Sequence, residues 1–188
     1  MTTQQSGAGS LLGFLVFEKT AKKDGFIAAL MVTDNRGYPL EFKATTPVRP
    51  SLVQRSLYGG QLEHYVAVEL CAKALIQQTQ RRPIAVLVPE AWLLDLAEDS
   101  KVNVLALWRA GEVLRVEDKD TPSGGGTIRP PGSPYQPVVY RGKFKSSDQE
   151  REVLAFVEDC ATRFDLIEPF QRMRAALELL AKEDPRYG

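Results

Sequence analysis

The chain has 188 residues, 44% of them hydrophobic and 26% charged, which suits one globular domain with a real core. Lysine plus arginine equals aspartate plus glutamate at 24 each, so no global field steers nucleic acid or an anionic membrane towards it. A single histidine excludes metal sites that need two imidazoles.

The first nine residues, MTTQQSGAG, are small and polar and are expected to form a disordered tail. They lack the basic region of a signal peptide. No stretch reaches the ~20 apolar residues of a spanning helix, so a cytoplasmic location is expected. Cys71 and Cys160 both lie in apolar helical patterns, the usual place of reduced, buried thiols.

From residue 10 onward the order of elements predicts one α+β domain, with a mostly antiparallel mixed sheet packed by helices and a helical C-terminus. Leu11–Lys19 reads as a first strand, followed by the polar turn AKKDG. Phe26–Thr33 is apolar on both faces, as a covered central strand should be. Asp34-Asn35-Arg36-Gly37 is hairpin-loop chemistry. Leu40, Phe42 and Ala44 then alternate with Glu41, Lys43 and Thr45, which predicts a strand with its apolar face dry and its polar face wet. Pro47 and Pro50 stop the ladder.

Ser51 and Gln54 form a capping box ahead of Leu52, Val53 and Leu57. Tyr58-Gly59-Gly60 interrupts this helix, and a second runs over 61–80 with Leu62, Val66, Leu70 and Ala74 as its stripe. Ile84–Val88 is a short buried strand. Residues 91–99 suggest a brief helix, and 102–108 with 112–118 a hairpin around Arg109-Ala110-Gly111. The Pro- and Gly-rich segment 119–137 predicts a long loop, one polyproline surface that a partner could read. Val138–Lys143 offers a last strand. Ser147 with Glu150, and Asp165 with Glu168, predict caps for two C-terminal helices.

Four residues are weak candidates for catalysis: Asp34, Glu41, Lys43 and His64. Glu41-Phe42-Lys43 is the E-x-K that metal-dependent nucleases place on a strand, where a carboxylate helps hold a divalent ion and the lysine orients water. Asp34 belongs to the turn, and Glu41 should pair near Met31 or Leu30, so the two carboxylates fall apart. Any Ser-His-Asp or Cys-His mechanism must run through His64. Cys71 is two helical turns away, about 10 Å. Glu90, just beyond a strand end, suits either a site or a helix start. Ser123–Thr127 lacks the ending of a phosphate loop. No cofactor and no metal are implied.

Thr45, Thr46, Arg49, Arg55, Tyr58, Gly59 and Gly60 remain as a polar, aromatic surface after the fold has used the rest. Lys43, Arg49, Arg55, Arg81 and Arg82 could gather there as a basic patch. The runs VTDNRGYPLEF, TTPVRP, LYGG and FDLIEPFQRMRAAL are similar to a family of small bacterial proteins with no assigned activity. That resemblance implies a bacterial source and a single domain. The expected role is a non-catalytic accessory or adaptor subunit that binds another protein. The alternatives are a divalent-metal nuclease using the E-x-K strand, and a small nucleic-acid-binding module using the arginines.

Overall fold

A computed structural model describes residues 10–111 and 125–187. The expected tail, 1–9, and the second arm of the hairpin expected over 112–118 lie outside the described residues. Among the described residues, seven strands form one sheet in the order β3-β2-β1-β4-β5-β7-β6. They are β1 (Leu12–Lys19), β2 (Phe26–Thr33), β3 (Pro39–Ala44), β4 (Ala85–Val88), β5 (Asn103–Arg109), β6 (Gly125–Ile128) and β7 (Val138–Lys143). β1 and β5 each run parallel to β4, and every other pairing is antiparallel. The α+β class and the mixed sheet expected from the sequence are therefore present.

Strand parity builds two cores. Leu12, Phe14 and Val16 of β1 join Ala29, Leu87 and Leu105 on one face, under α5 (Ser147–Ala161) and α6 (Glu168–Glu183). Phe14 meets the Phe170 ring of α6 edge-on at 5.5 Å. Leu15, Leu30, Val86 and Val104 point the other way. A helical run covers them, made of α2 (Leu62–Tyr65), a π-helical segment (Val66–Ala72) and α3 (Lys73–Gln78). All eight residues of β2 are buried, as its two-sided apolar pattern requires.

The π segment changes the helix face. Extra residues in one turn rotate everything after them, so Val68, Cys71, Leu75 and Ile76 are buried while Leu70 of the expected stripe is 43% exposed. A short 3₁₀ turn (Ala91–Asp95) and α4 (Leu96–Ser100) complete that layer. No helix among the described residues is long and apolar enough to cross a membrane.

Several boundaries differ from expectation. Gly125–Ile128, expected inside a long loop, is an edge strand on β7. Its glycines fit because a side chain at Gly125 would meet the Tyr140 carbonyl at 3.0 Å. Ser146, not Ser147, caps α5, accepting from the Gln149 N–H. α6 starts without a side-chain cap. Asp165 instead accepts from the Ile167 N–H at 3.0 Å, one turn earlier. The β3 faces are reversed: Glu41 and Lys43 are partly covered while Leu40 and Phe42 are each 39% exposed. The reason is tertiary, since α3 reaches the polar face of this edge strand and leaves the apolar face open.

Candidate functional site at the carboxyl ends of β1 and β4

The hairpin candidates are occupied by structure. Asp34 Oδ1 accepts from the Arg36 and Tyr38 N–H groups at 2.8 and 3.0 Å, which holds the turn. Gly37 completes that turn at φ 78°, and its carbonyl accepts from the Arg172 guanidinium. Glu41 lies opposite Val32, nearer the turn than expected, because a bulge at Val32/Thr33 shifts the register. Its carboxylate accepts from the Gln80 and Arg81 N–H groups at 3.1 and 3.0 Å. Lys43 sits 3.5 Å from it and donates to the Gln78 carbonyl at the end of α3. Burial opposes ionisation of Glu41, but the two backbone donors outweigh it and hold the carboxyl below its ordinary range. The E-x-K pair thus fastens β3 to the C-terminus of α3.

His64 is bonded through Nε2 to Asp95 Oδ2 at 3.0 Å. Lys143 donates to the other Asp95 oxygen and to Glu98, both at 2.8 Å. Burial raises the Asp95 carboxyl, yet the Lys143 and His64 bonds win and lower it. Cys71 is fully buried, and burial pushes its thiol up to about 11. Cys160 is likewise buried, at about 12. Neither is a nucleophile near neutral pH.

The polar surface expected over Thr45–Gly60 is only partly available. Thr45 Oγ1 accepts from the Ala28 N–H at 3.1 Å. Arg49 pairs with Asp24 at 3.0 Å, and Arg55 donates to the Asp24 and Pro50 carbonyls. Gly25 permits this seam, because any side chain there would strike the Val48 carbonyl at 2.6 Å. Thr46 is exposed. Tyr58 stacks on Tyr65 with ring centroids 4.6 Å apart. The five basic residues do not form one patch: Lys43 is held at α3, and Arg49 with Arg55 at the β1–β2 turn.

What the fold assembles instead is a site at the carboxyl ends of the parallel strands β1 and β4, where open α/β sheets commonly bind ligands. Two clefts meet there at Lys19. One, of about 690 Å³, runs between the end of β1 and α6, lined by Glu18, Lys22, Arg174, Glu178 and Lys182. The other, of about 380 Å³, is lined by Lys23, Arg55, Gly59, Gly60 and Glu63. Together they present six cations (Lys19, Lys22, Lys23, Arg55, Arg174, Lys182) and three carboxylates (Glu18, Glu63, Glu178). Arg174 pairs with Glu18 at 2.5 Å and Lys19 with Glu63 at 3.2 Å.

Glu90 stands beyond β4 among these charges. It holds the N-cap position of the 3₁₀ turn, the helix start that the sequence offers, but its carboxylate makes no capping bond there. The protein around it raises its carboxyl, Arg174 counteracts, and Glu18 and Glu63 add to the rise. Sequence reasoning missed Glu18, Lys22, Arg174 and Lys182 as a group. The only signals were Lys22-Lys23 in the first turn and the spacing of Arg174, Glu178 and Lys182. Arg174 reads locally as a partner of Glu178, but the fold gives it to Glu18.

No family model matches the chain, and no curated protein matches it. The solved structures to which it is distantly similar include two. One is Endonuclease V from Bacillus subtilis, at 9% identity and TM-score 0.42, covering 77% of this chain and 69% of that one. The other is Marinitoga piezophila Argonaute in complex with 5′-OH guide RNA, at 13% identity and TM-score 0.38, covering 80% of this chain and 25% of that one. The expected adaptor role is corrected at the surface that was to carry it. Thr45, Arg49 and Arg55, which were to contact the partner, are bonded within the chain itself.

Proposed function

We propose that this cytoplasmic protein binds nucleic acid, seating the sugar–phosphate backbone in the paired clefts at the end of β1. The observation that carries the reading is the local charge: six cations against three lining carboxylates in a molecule whose total charge is zero. Lys22 and Lys23 are exposed on the turn between the clefts, free to meet phosphates as point charges. Tyr58, exposed beside Gly59 and Gly60, offers a ring face for an unpaired base.

Fluorescence anisotropy with single- and double-stranded oligonucleotides tests this directly. About four phosphate contacts imply an affinity loss on the order of 100-fold between 50 and 200 mM salt. Binding that is absent, or indifferent to salt, would sink the proposal.

A second reading, metal-assisted cleavage, has one observation in its favour: Glu18 and Glu63 each lie within electrostatic reach of Glu90. Carboxylate oxygens are the right donors for Mg²⁺. Their spacing does not fit as it stands, since no group of three or more potential ligands among the described residues could hold an ion. Lys19 and Arg174 hold two of the three. Incubation of labelled oligonucleotides with Mg²⁺ or Mn²⁺ decides the matter, because cleavage lost in Glu18→Gln and Glu90→Gln would establish it, and intact substrate would remove it.

A further inference from the structure

We propose that the protein forms a two-fold dimer through β3, whose free edge pairs antiparallel with β3 of a second copy. Among the described residues this strand is outermost in the sheet, and its open face carries Tyr38, Leu40 and Phe42 at 63%, 39% and 39% exposure. Edge strands are ordinarily guarded by outward charges or by a cover. Here the two charges, Glu41 and Lys43, are turned to α3.

The hydrogen-bond parity of the strand selects the register. The Thr45 N–H donates to the Ala28 carbonyl at 2.9 Å, so Thr45 and, by alternation, Lys43 and Glu41 direct their backbone groups at β2. Ala44, Phe42 and Leu40 direct theirs outward. A two-fold axis at Phe42 lets it exchange both backbone bonds with the partner's Phe42, and sets Leu40 opposite the partner's Ala44.

The same register is complementary in charge. It places Glu41 across from the partner's Lys43 and the reverse, a cross-strand arrangement that stabilises antiparallel pairs. An axis at Glu41 or Lys43 would oppose like charges. An axis at Leu40 would set Phe42 against the partner's Tyr38, whose backbone N–H and C=O are both taken by Asp34. Zero net charge adds no long-range repulsion between copies.

The exposed apolar strip and the free backbone groups identify one occupant because the strand complements itself. Light scattering across about 1–100 µM should show twice the chain mass, with Phe42→Lys shifting the dimer dissociation constant at least tenfold and leaving the circular-dichroism melt in place. Phe42→Cys tests the register without relying on charge. Residues directly opposite lie about 5.5 Å apart between Cα atoms, within disulfide reach. Under oxidation it should give a covalent dimer, Leu40→Cys alone should not, and Leu40→Cys with Ala44→Cys should. A single-chain mass throughout, or a dimer in which Phe42→Cys and Leu40→Cys cross-link alike, overturns the proposal.

Discussion

The β2–β3 hairpin and the carboxyl end of β1 each set a glutamate beside cations, and the contrast shows how one residue type serves fold or function. Glu41 is satisfied three times over, by two backbone N–H groups and by Lys43. Its lowered pKa records stabilisation of the folded state. Glu90 makes no capping bond, and burial, with Glu18 and Glu63 adding to it, opposes its charge more than Arg174 favours it. Its raised pKa records a charge that the fold tolerates rather than uses. An electrostatically disfavoured carboxylate at a strand end, beside excess cations, is a better functional candidate than a satisfied one. The familiar E-x-K spacing points to the wrong region.

That contrast can be broken most decisively at the clefts. Lys22→Glu with Lys182→Glu should weaken oligonucleotide binding about 100-fold at low salt, or about 2.8 kcal/mol, and flatten the salt dependence. Anisotropy titrations measure both. A change of less than threefold would move the binding surface elsewhere.

The next largest effect is expected in the hairpin. Glu41→Gln should destabilise the protein by about 1–2 kcal/mol at pH 7, since charge-assisted bonds to two N–H groups are lost. Its folded pKa is lowered, so the stabilisation is present above the unfolded value and fades as pH falls through the folded one. Denaturant melts at pH 7 and pH 3 should therefore converge for the two proteins. Oligonucleotide affinity should be unchanged, which separates the regions.

Thr45→Val should cost about 1 kcal/mol by leaving the Ala28 N–H without its side-chain acceptor. Chemical denaturation reads this, with no effect on binding expected.

The smallest stability effect has the opposite sign. Glu90→Gln removes a charge that burial disfavours and that Glu18 and Glu63 repel, against the pull of Arg174, so it should stabilise the protein by up to about 0.5 kcal/mol at pH 7. Because the folded pKa is raised, the wild-type carboxyl is least costly below the unfolded value, and the gain should vanish as pH drops below about 4. The same variant should bind nucleic acid more tightly through reduced repulsion. Destabilisation at neutral pH would mean that Glu90 has a structural partner.

Local patterns made much of the architecture legible. The two-sided apolar run of β2, the Asp34–Gly37 turn and the Ser51–Gln54 capping box all depend on near neighbours, and each appears in the structure as the sequence implies. The alternation in β3 was legible as a strand but misleading about burial. Which face is covered depends on where α3 ends, a fact about residues nearly 40 positions away. The π segment hid the helix face in the same way, since a 3.6-residue period assigns Leu70 to a core that the wider turn rotates it out of.

The clefts show the division most sharply. By itself the sequence determined most of the secondary elements, the neutral total charge and the lack of a histidine cluster, because these follow from composition and local periodicity. Only the tertiary structure decided that Arg174 meets Glu18 across 156 positions. Only it brought Lys22, Lys182 and Arg55 to the end of β1. Sheet order sets those meetings, and sheet order is a choice among long-range pairings that no short window of residues encodes.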